Sequence, residues 1–232
     1  MNNNNTDIAS NIIKLKERVA NAALRSGRTI NDIKIVAVTK TVEPERINIA
    51  VEQGLVDLGE NRVQELCNKY GQVNGKCNWH LIGHLQTNKV KYIVDKVCLI
   101  HSLDRMELAE ELQKRASQHG KILDVLVQVN IAKEETKFGI NQEDAVEFIK
   151  EISKFENLKV KGLMTIAPLV EDPEEVRYVF RELRKLLIDI QMENINNIDM
   201  KYLSMGMSND FEVAIEEGAN IIRVGTAIFG HR

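Results

Sequence analysis

The chain has 232 residues, 44% of them hydrophobic, which suits one large α/β barrel or two small domains with a sizeable buried core. A net charge of −3 and a pI near 6.0 offer no bulk attraction to nucleic acid or to an anionic membrane, and no apolar stretch approaches a membrane span. Three cysteines, Cys67, Cys77 and Cys98, are an odd number without metal-ligand spacing, so free thiols in a reducing cytoplasm are the economical reading.

Residues 1–7 read as a polar tail, because the asparagines at positions 2–5 lack the basic and apolar regions of a signal peptide. Ile12, Leu15, Val19, Ala22 and Ala23 then recur at helical spacing, predicting an amphipathic helix over 8–26 that Gly27 stops. Beyond it, apolar runs alternate with amphipathic stretches. Strands are predicted at 33–39, 55–58, 78–82, 97–101, 122–130, 158–164, 201–204 and 220–224. Helical patterns lie between them near 44–53, 61–70, 87–94, 104–118, 141–154, 173–190 and 209–216. Eight strands separated by helices predict an α/β fold, a (β/α)8 TIM barrel in a single domain over 8–232, with the opening helix as an addition. An open doubly wound sheet is the structural competitor.

The first strand, Ile33-Lys34-Ile35-Val36-Ala37-Val38-Thr39, leads directly into Lys40. The C-terminal tips of barrel strands are where active-site loops gather. A lysine largely removed from water there has its charged form disfavoured, which suits its amine to forming a Schiff base. Equally, a lysine at a strand tip can snorkel to the rim or pair with a carboxylate. The other tips carry Gly59-Glu60-Asn61, His80 to His84, His101-Ser102, Asn130 and Met164-Thr165. Last come Ser204-Met205-Gly206-Met207-Ser208 and Arg223-Val224-Gly225-Thr226. Hydroxyls and exposed backbone N–H groups after strands seven and eight are suited to a phosphate dianion, although Ser208 and Thr226 also fit as ordinary helix caps. Two such clusters with Lys40 across the barrel favour a phosphorylated ligand.

The same stretches resemble a known family, the single-domain pyridoxal-phosphate homeostasis proteins, related to the N-terminal barrel of alanine racemase. The matching residues are Val38-Thr39-Lys40-Thr41, Gly59-Glu60-Asn61-Arg62-Val63-Gln64-Glu65 and Trp79-His80-Leu81-Ile82-Gly83-His84-Leu85-Gln86-Thr87-Asn88-Lys89. His101-Ser102-Leu103-Asp104, Gly162-Leu163-Met164, Leu203 to Asp210 and Arg223 to Gly230 complete the pattern. Leu81 stands where the family more usually has phenylalanine or methionine, an exchange of one apolar filler for another. The resemblance implies that Lys40 holds pyridoxal 5′-phosphate (PLP) as an internal aldimine, with Asn61 close to the ring. It also implies that Ser208, Gly225 and Thr226 bind the phosphate with help from Ser204, that Arg223 faces the pyridine nitrogen, and that His80 and Met164 line the pocket.

A guanidinium only donates hydrogen bonds, so an arginine at that nitrogen keeps the pyridine neutral and makes it a weaker electron sink. Alanine racemase completes its site with a second domain and a tyrosine base from the partner subunit. Here the chain ends at Arg232 just after strand eight, and Tyr70, Tyr92 and Tyr178 fall in predicted helices, while Tyr202 begins strand seven at the far end of the barrel. The expectation is therefore a carrier or buffer of PLP without turnover, a cytoplasmic monomer that serves PLP-requiring apoenzymes. The alternatives are a cryptic amino-acid racemase-like enzyme and a Schiff-base barrel enzyme acting on a sugar phosphate.

Overall fold

Successive residues of a strand face opposite sides of a sheet, and in the computed structural model this alternation divides the core in two. Along β1 (Lys34–Val38), Ile35 and Ala37 point outward into a large cluster beneath the helices, whereas Val36 and Val38 point into a second cluster with Ile82, Leu99, Leu126, Met164 and Ile221. A sheet apolar on both faces needs covering on both, which closure into a barrel wrapped by helices provides. The structure describes residues 3–134 and 137–230. The remaining residues of the predicted tail and of the predicted domain lie outside it.

The strands β1, β2 (Asp57–Glu60), β3 (Asn78–Leu81), β4 (Val97–Leu103), β5 (Leu123–Gln128), β6 (Leu158–Met164), β7 (Ile198–Ser204) and β8 (Ile221–Val224) form a closed barrel in chain order. All neighbours are parallel, and β1 closes on β8 with Lys34 opposite Ile221 and Ala37 opposite Val224. The helices are α1 (Asn3–Arg25), α2 (Pro44–Glu52), α3 (Val63–Lys69), α4 (Met106–Gln118), α5 (Ala145–Ile152), α6 (Arg177–Met192), α7 (Phe211–Glu216) and α8 (Thr226–Phe229). Gly59 shows how tightly the interior is filled, since a Cβ there would meet Val36 at 2.7 Å and Ile82 at 3.0 Å.

The added helix α1 begins at Asn3, inside the stretch read as a tail, and ends before Gly27, whose φ of 72° suits a helix terminator. It buries Ile8, Ile12, Leu15, Val19, Ala22 and Ala23. Ion pairs from Arg18 to Glu212 and from Arg25 to Glu216 fasten it to α7.

Some boundaries differ from expectation. The predicted helix over 87–94 is a 3-10 helix, Thr87–Tyr92, and 3-10 turns also precede α5 and α6. Strand β7 starts at Ile198 rather than at 201, because Asn197 and Asp199 interrupt the apolar run while the backbone already pairs Ile198 with Val160. Tyr202 is thus mid-strand, packed against the inner cluster and not at the strand start. Among the described residues no helix is long and apolar enough to cross a membrane.

Candidate functional site

Lys40 follows the end of β1 by two residues, and its peptide neighbours are fixed from below. Thr39 is fully buried, its N–H donates to the Gly59 carbonyl at 2.9 Å, and its hydroxyl donates to Glu60 Oε1 at 2.7 Å. The Lys69 ammonium donates to the Thr39 carbonyl at 2.8 Å, to Glu60 Oε1 at 2.7 Å and to Glu65 Oε2 at 3.1 Å. Glu65 Oε2 also accepts the Thr41 N–H at 2.7 Å, which holds this β-branched residue in the left-handed region at φ 58°. Burial pushes the Glu60 carboxyl up against the pull of Lys69 and Thr39. Partial burial works the same way on Glu65, but the Thr41 N–H and Lys69 hold it below its ordinary value.

The expectation of a lysine largely removed from water is corrected, because Lys40 is exposed. The strand ends at Val38, so Lys40 stands beyond the barrel interior at its mouth, where the chain turns through a left-handed Thr41.

Across the mouth, β7 ends at Ser204 and the chain turns at Gly206, where φ is 92° and a Cβ would meet Ala214 at 2.7 Å and Phe211 at 2.9 Å. Asp210 closes this turn by accepting the Met207 N–H at 2.5 Å. The Ser208 hydroxyl lies 3.4 Å from the N–H groups of both Gly225 and Ala227, so one hydroxyl and two backbone donors meet between the seventh and eighth loops. Thr226 opens α8 beside them and is exposed.

Arg223 of β8 is only 5% exposed. Its Nη1 donates to Ser204 Oγ at 2.7 Å and its Nη2 to the Thr165 carbonyl at 2.8 Å. Burial pushes the guanidinium down to about 10, opposed by the nearby Asp210 charge, so it is still a cation at neutral pH. Burial also pushes the Asp210 carboxyl up, against the Met207 N–H and Arg223.

A cavity of about 380 Å³ joins these groups. Lys40, Ser208, Arg223, Gly225 and Thr226 line it together, while Pro168, Leu169 and Val170 of the loop after β6 form an apolar wall. The other candidates are placed differently. Met164 is fully buried in the inner cluster, and Ser204 lies behind Arg223, not in the lining. His80 is deeper still, hydrogen-bonded to His101 and Asp57. Asn61 follows β2, and its Oδ1 is buried without a hydrogen-bond partner.

Several contributors escaped the sequence reading. Asp210 belongs to the motif Leu203 to Asp210, but the attention paid to hydroxyls passed over it. Lys69 lies in a helix with no local sign that it reaches back to Thr39, and the apolar wall carries no chemical signature at all. Among the described residues no tyrosine, histidine or cysteine lines the cavity.

Comparison with known proteins places this architecture. The model of the alanine racemase N-terminal domain matches residues 10–232. A pyridoxal phosphate homeostasis protein of Aquifex aeolicus is 50% identical over 220 residues, covering 94% of this chain and 96% of the relative. One from Pseudomonas aeruginosa is 36% identical, covering 97% and 96%. Among solved structures, PipY of Synechococcus elongatus PCC7942 with PLP bound superposes with a TM-score of 0.81 at 34% identity, covering 93% of this chain and 99% of that one. With this match running through every strand of the barrel, the chain belongs to the alanine racemase N-terminal domain family and, within it, to the pyridoxal phosphate homeostasis proteins.

Proposed function

We propose that this protein binds PLP at Lys40 and takes part in intracellular PLP homeostasis as a carrier or buffer that turns over no substrate. The observation that carries the reading is the meeting, in one cavity, of a primary amine, a hydroxyl with two converging backbone N–H groups, and a buried guanidinium. PLP supplies an aldehyde that condenses with a lysine amine, releasing water and forming a Schiff base.

The donor set fits that group. Lys40 is the amine at the mouth, and Ser208, Gly225 and Thr226 present donors to a phosphate. Arg223 has no carboxylate in direct ion pairing among the described residues, and it can offer the ring nitrogen only a donor. The partnerless Oδ1 of Asn61 marks a buried acceptor beside β2 that accords with a ligand edge there. Met164 packs in the inner cluster with Val38, which lines the cavity, Ser204 supports Arg223, and His80 lies deeper against His101.

The same residues support a reading without turnover. A donor-only arginine leaves the ring nitrogen unprotonated and weakens it as an electron sink. Asp210 favours the rival reading of a cryptic racemase-like enzyme, because its carboxyl lines the cavity with a raised proton affinity. Its Oδ1, however, is engaged by the Met207 N–H in closing the turn, so it serves structure. The free thiols of Cys67, Cys77 and Cys98 accord with a cytoplasmic location. PLP-requiring apoenzymes are the recipients on this reading, and the protein acts as a monomer of one barrel domain.

The test is the visible spectrum of protein mixed with PLP, before and after borohydride, with peptide mapping of the reduced product. A PLP chromophore fixed on the Lys40 peptide is expected. No chromophore would support the sugar-phosphate alternative, and label on another lysine alone would overturn the site.

A further inference from the structure

Behind Arg223 a line of polar side chains crosses the whole barrel interior. Ser204 Oγ lies 2.8 Å from His101 Nδ1, His101 Nε2 lies 2.9 Å from His80 Nδ1, and His80 Nε2 lies 3.0 Å from Asp57 Oδ1. At the far end Asp57 Oδ1 also accepts from Lys34 Nζ at 2.7 Å and Asn78 Nδ2 at 3.2 Å. His101 is fully buried and His80 nearly so. Seven side chains on six strands, Arg223 included, are therefore linked from the mouth of the barrel to its floor.

The two ends of the line decide its direction. A guanidinium can only donate and an ionised carboxylate can only accept. Because Arg223 donates to Ser204 Oγ, the Ser204 hydroxyl proton is free to turn to His101 Nδ1, which must accept. His101 then carries its proton on Nε2 and donates to His80 Nδ1, and His80 donates from Nε2 to Asp57. Each group has one donor and one acceptor, and no other assignment of neutral rings satisfies both ends. Burial keeps both imidazoles neutral, which the assignment requires, so the contact with Asp57 is a hydrogen bond between a neutral ring and a carboxylate.

We infer that this directed chain from Asp57 through His80, His101 and Ser204 holds the Arg223 guanidinium in register as a fixed donor toward the ring nitrogen of bound PLP. The inference rests on the PLP reading above and adds three positioning residues, Asp57, His80 and His101, none of which lines the cavity. Breaking the chain in the middle frees the Ser204 hydroxyl to reorient and removes the constraint on Nη1. Cutting it therefore harms a ligand in proportion to what that ligand draws from Arg223.

The experiment pairs variants with ligands. PLP and its analogue in which C–H replaces the ring nitrogen are titrated into wild type, His101→Leu and His101→Gln. His101→Leu is expected to weaken PLP about tenfold, the equivalent of one hydrogen bond to a charged group, while leaving affinity for the analogue unchanged. His101→Gln retains one donor and one acceptor and is expected to recover most of the loss. Equal weakening for both ligands, or no weakening of PLP, would overturn the inference. Nitrogen-15 spectra of histidine-labelled wild type, without and with PLP, give a measurement that needs no variant to fold. Both rings are expected to be protonated on Nε2 alone at neutral pH. A proton on Nδ1 of either ring would overturn the chain. Wild type that binds neither ligand while showing these tautomers would overturn the PLP reading and the link to a ring nitrogen, and would leave the chain as a bond that stabilises the fold.

Discussion

The ammonium of Lys69 reaches back thirty positions to donate to the carbonyl of Thr39, the residue immediately before Lys40, at 2.8 Å. The same ammonium is paired with Glu60, whose side chain is fully buried, so Lys69 secures both the peptide and a charge inside the protein. Removing one partner of a buried pair costs about 3–5 kcal/mol, because the other is left unpaired. Lys69→Met is expected near the lower end of that range, since burial already raises the Glu60 proton affinity and the carboxyl can protonate. Urea denaturation measures this, and Glu60→Gln in the same chain should restore part of the loss.

Lys40 contributes almost nothing to that framework. It is exposed at the mouth, and substitutions of this kind usually change stability within about 0.5 kcal/mol. Lys40→Ala should therefore unfold at the wild-type urea concentration and yet show no borohydride-fixed PLP. Loss of the label together with loss of the fold would mean that the residue has a structural role the geometry does not reveal.

These two lysines show what was legible in the sequence. The barrel could be read because β1 and its successors are apolar on both faces and separated by amphipathic stretches, a pattern with few folded solutions. Lys40, Ser208, Arg223, Gly225 and Thr226 could be read because they are polar residues at strand tips, and tips converge whatever the details of the loops. The exposure of Lys40 could not, because the apolar run continues to Thr39 while the strand already ends at Val38, and the turn beyond is held by a distant Glu65. Nor could the pairing of His80 with His101, which is set by the stagger between β3 and β4 and leaves no periodic trace.

Phosphate recognition has its own signature. Hydrogen bonds to a charged group contribute about 1.5–3 kcal/mol each, so pyridoxal without its phosphate should bind at least two orders of magnitude more weakly than PLP. Ser208→Ala and Thr226→Ala should each weaken PLP about tenfold and leave pyridoxal unaffected, because the backbone donors of Gly225 and Ala227 persist. Isothermal titration with both ligands checks this. Equal affinity for the two would dismiss the phosphate site.

Acid should destabilise the fold in two stages. Burial holds the His80 ring below its ordinary value and His101 well below. The unfolded chain therefore binds more protons than the folded one below about pH 6.5, and stability falls as pH drops through that value. Asp57 acts lower. Burial works to raise its carboxyl, but the His80 and Lys34 hydrogen bonds override this and pull it from 3.8 to about 2. A depressed carboxylate contributes stability above its unfolded value and loses it between about pH 4 and 2, here roughly 2 kcal/mol. Protonation of Glu60 works in the opposite sense, because its raised proton affinity favours the fold as pH falls. Urea midpoints at pH 7, 5 and 3 should decline in both intervals, with His101→Gln flattening the first and Asp57→Asn the second.

Finally, the protein should exchange no α-protons of amino acids at a steady rate. Proton abstraction needs a positioned base, which contributes typically about 10²–10⁴-fold, and an electron sink to receive the charge. Arg223 donates to Ser204 and Thr165 and can offer the ring only a further donor, which keeps the sink weak. The acid in the cavity, Asp210, spends Oδ1 on the Met207 N–H. Loaded protein would be incubated with L- and D-amino acids in deuterated water and followed by NMR. Persistence of the α-proton signal through many equivalents is expected, and Asp210→Asn should leave it unchanged. Multiple-turnover loss of that signal, absent in Lys40→Ala, would identify an enzyme, and its disappearance in Asp210→Asn would name the base.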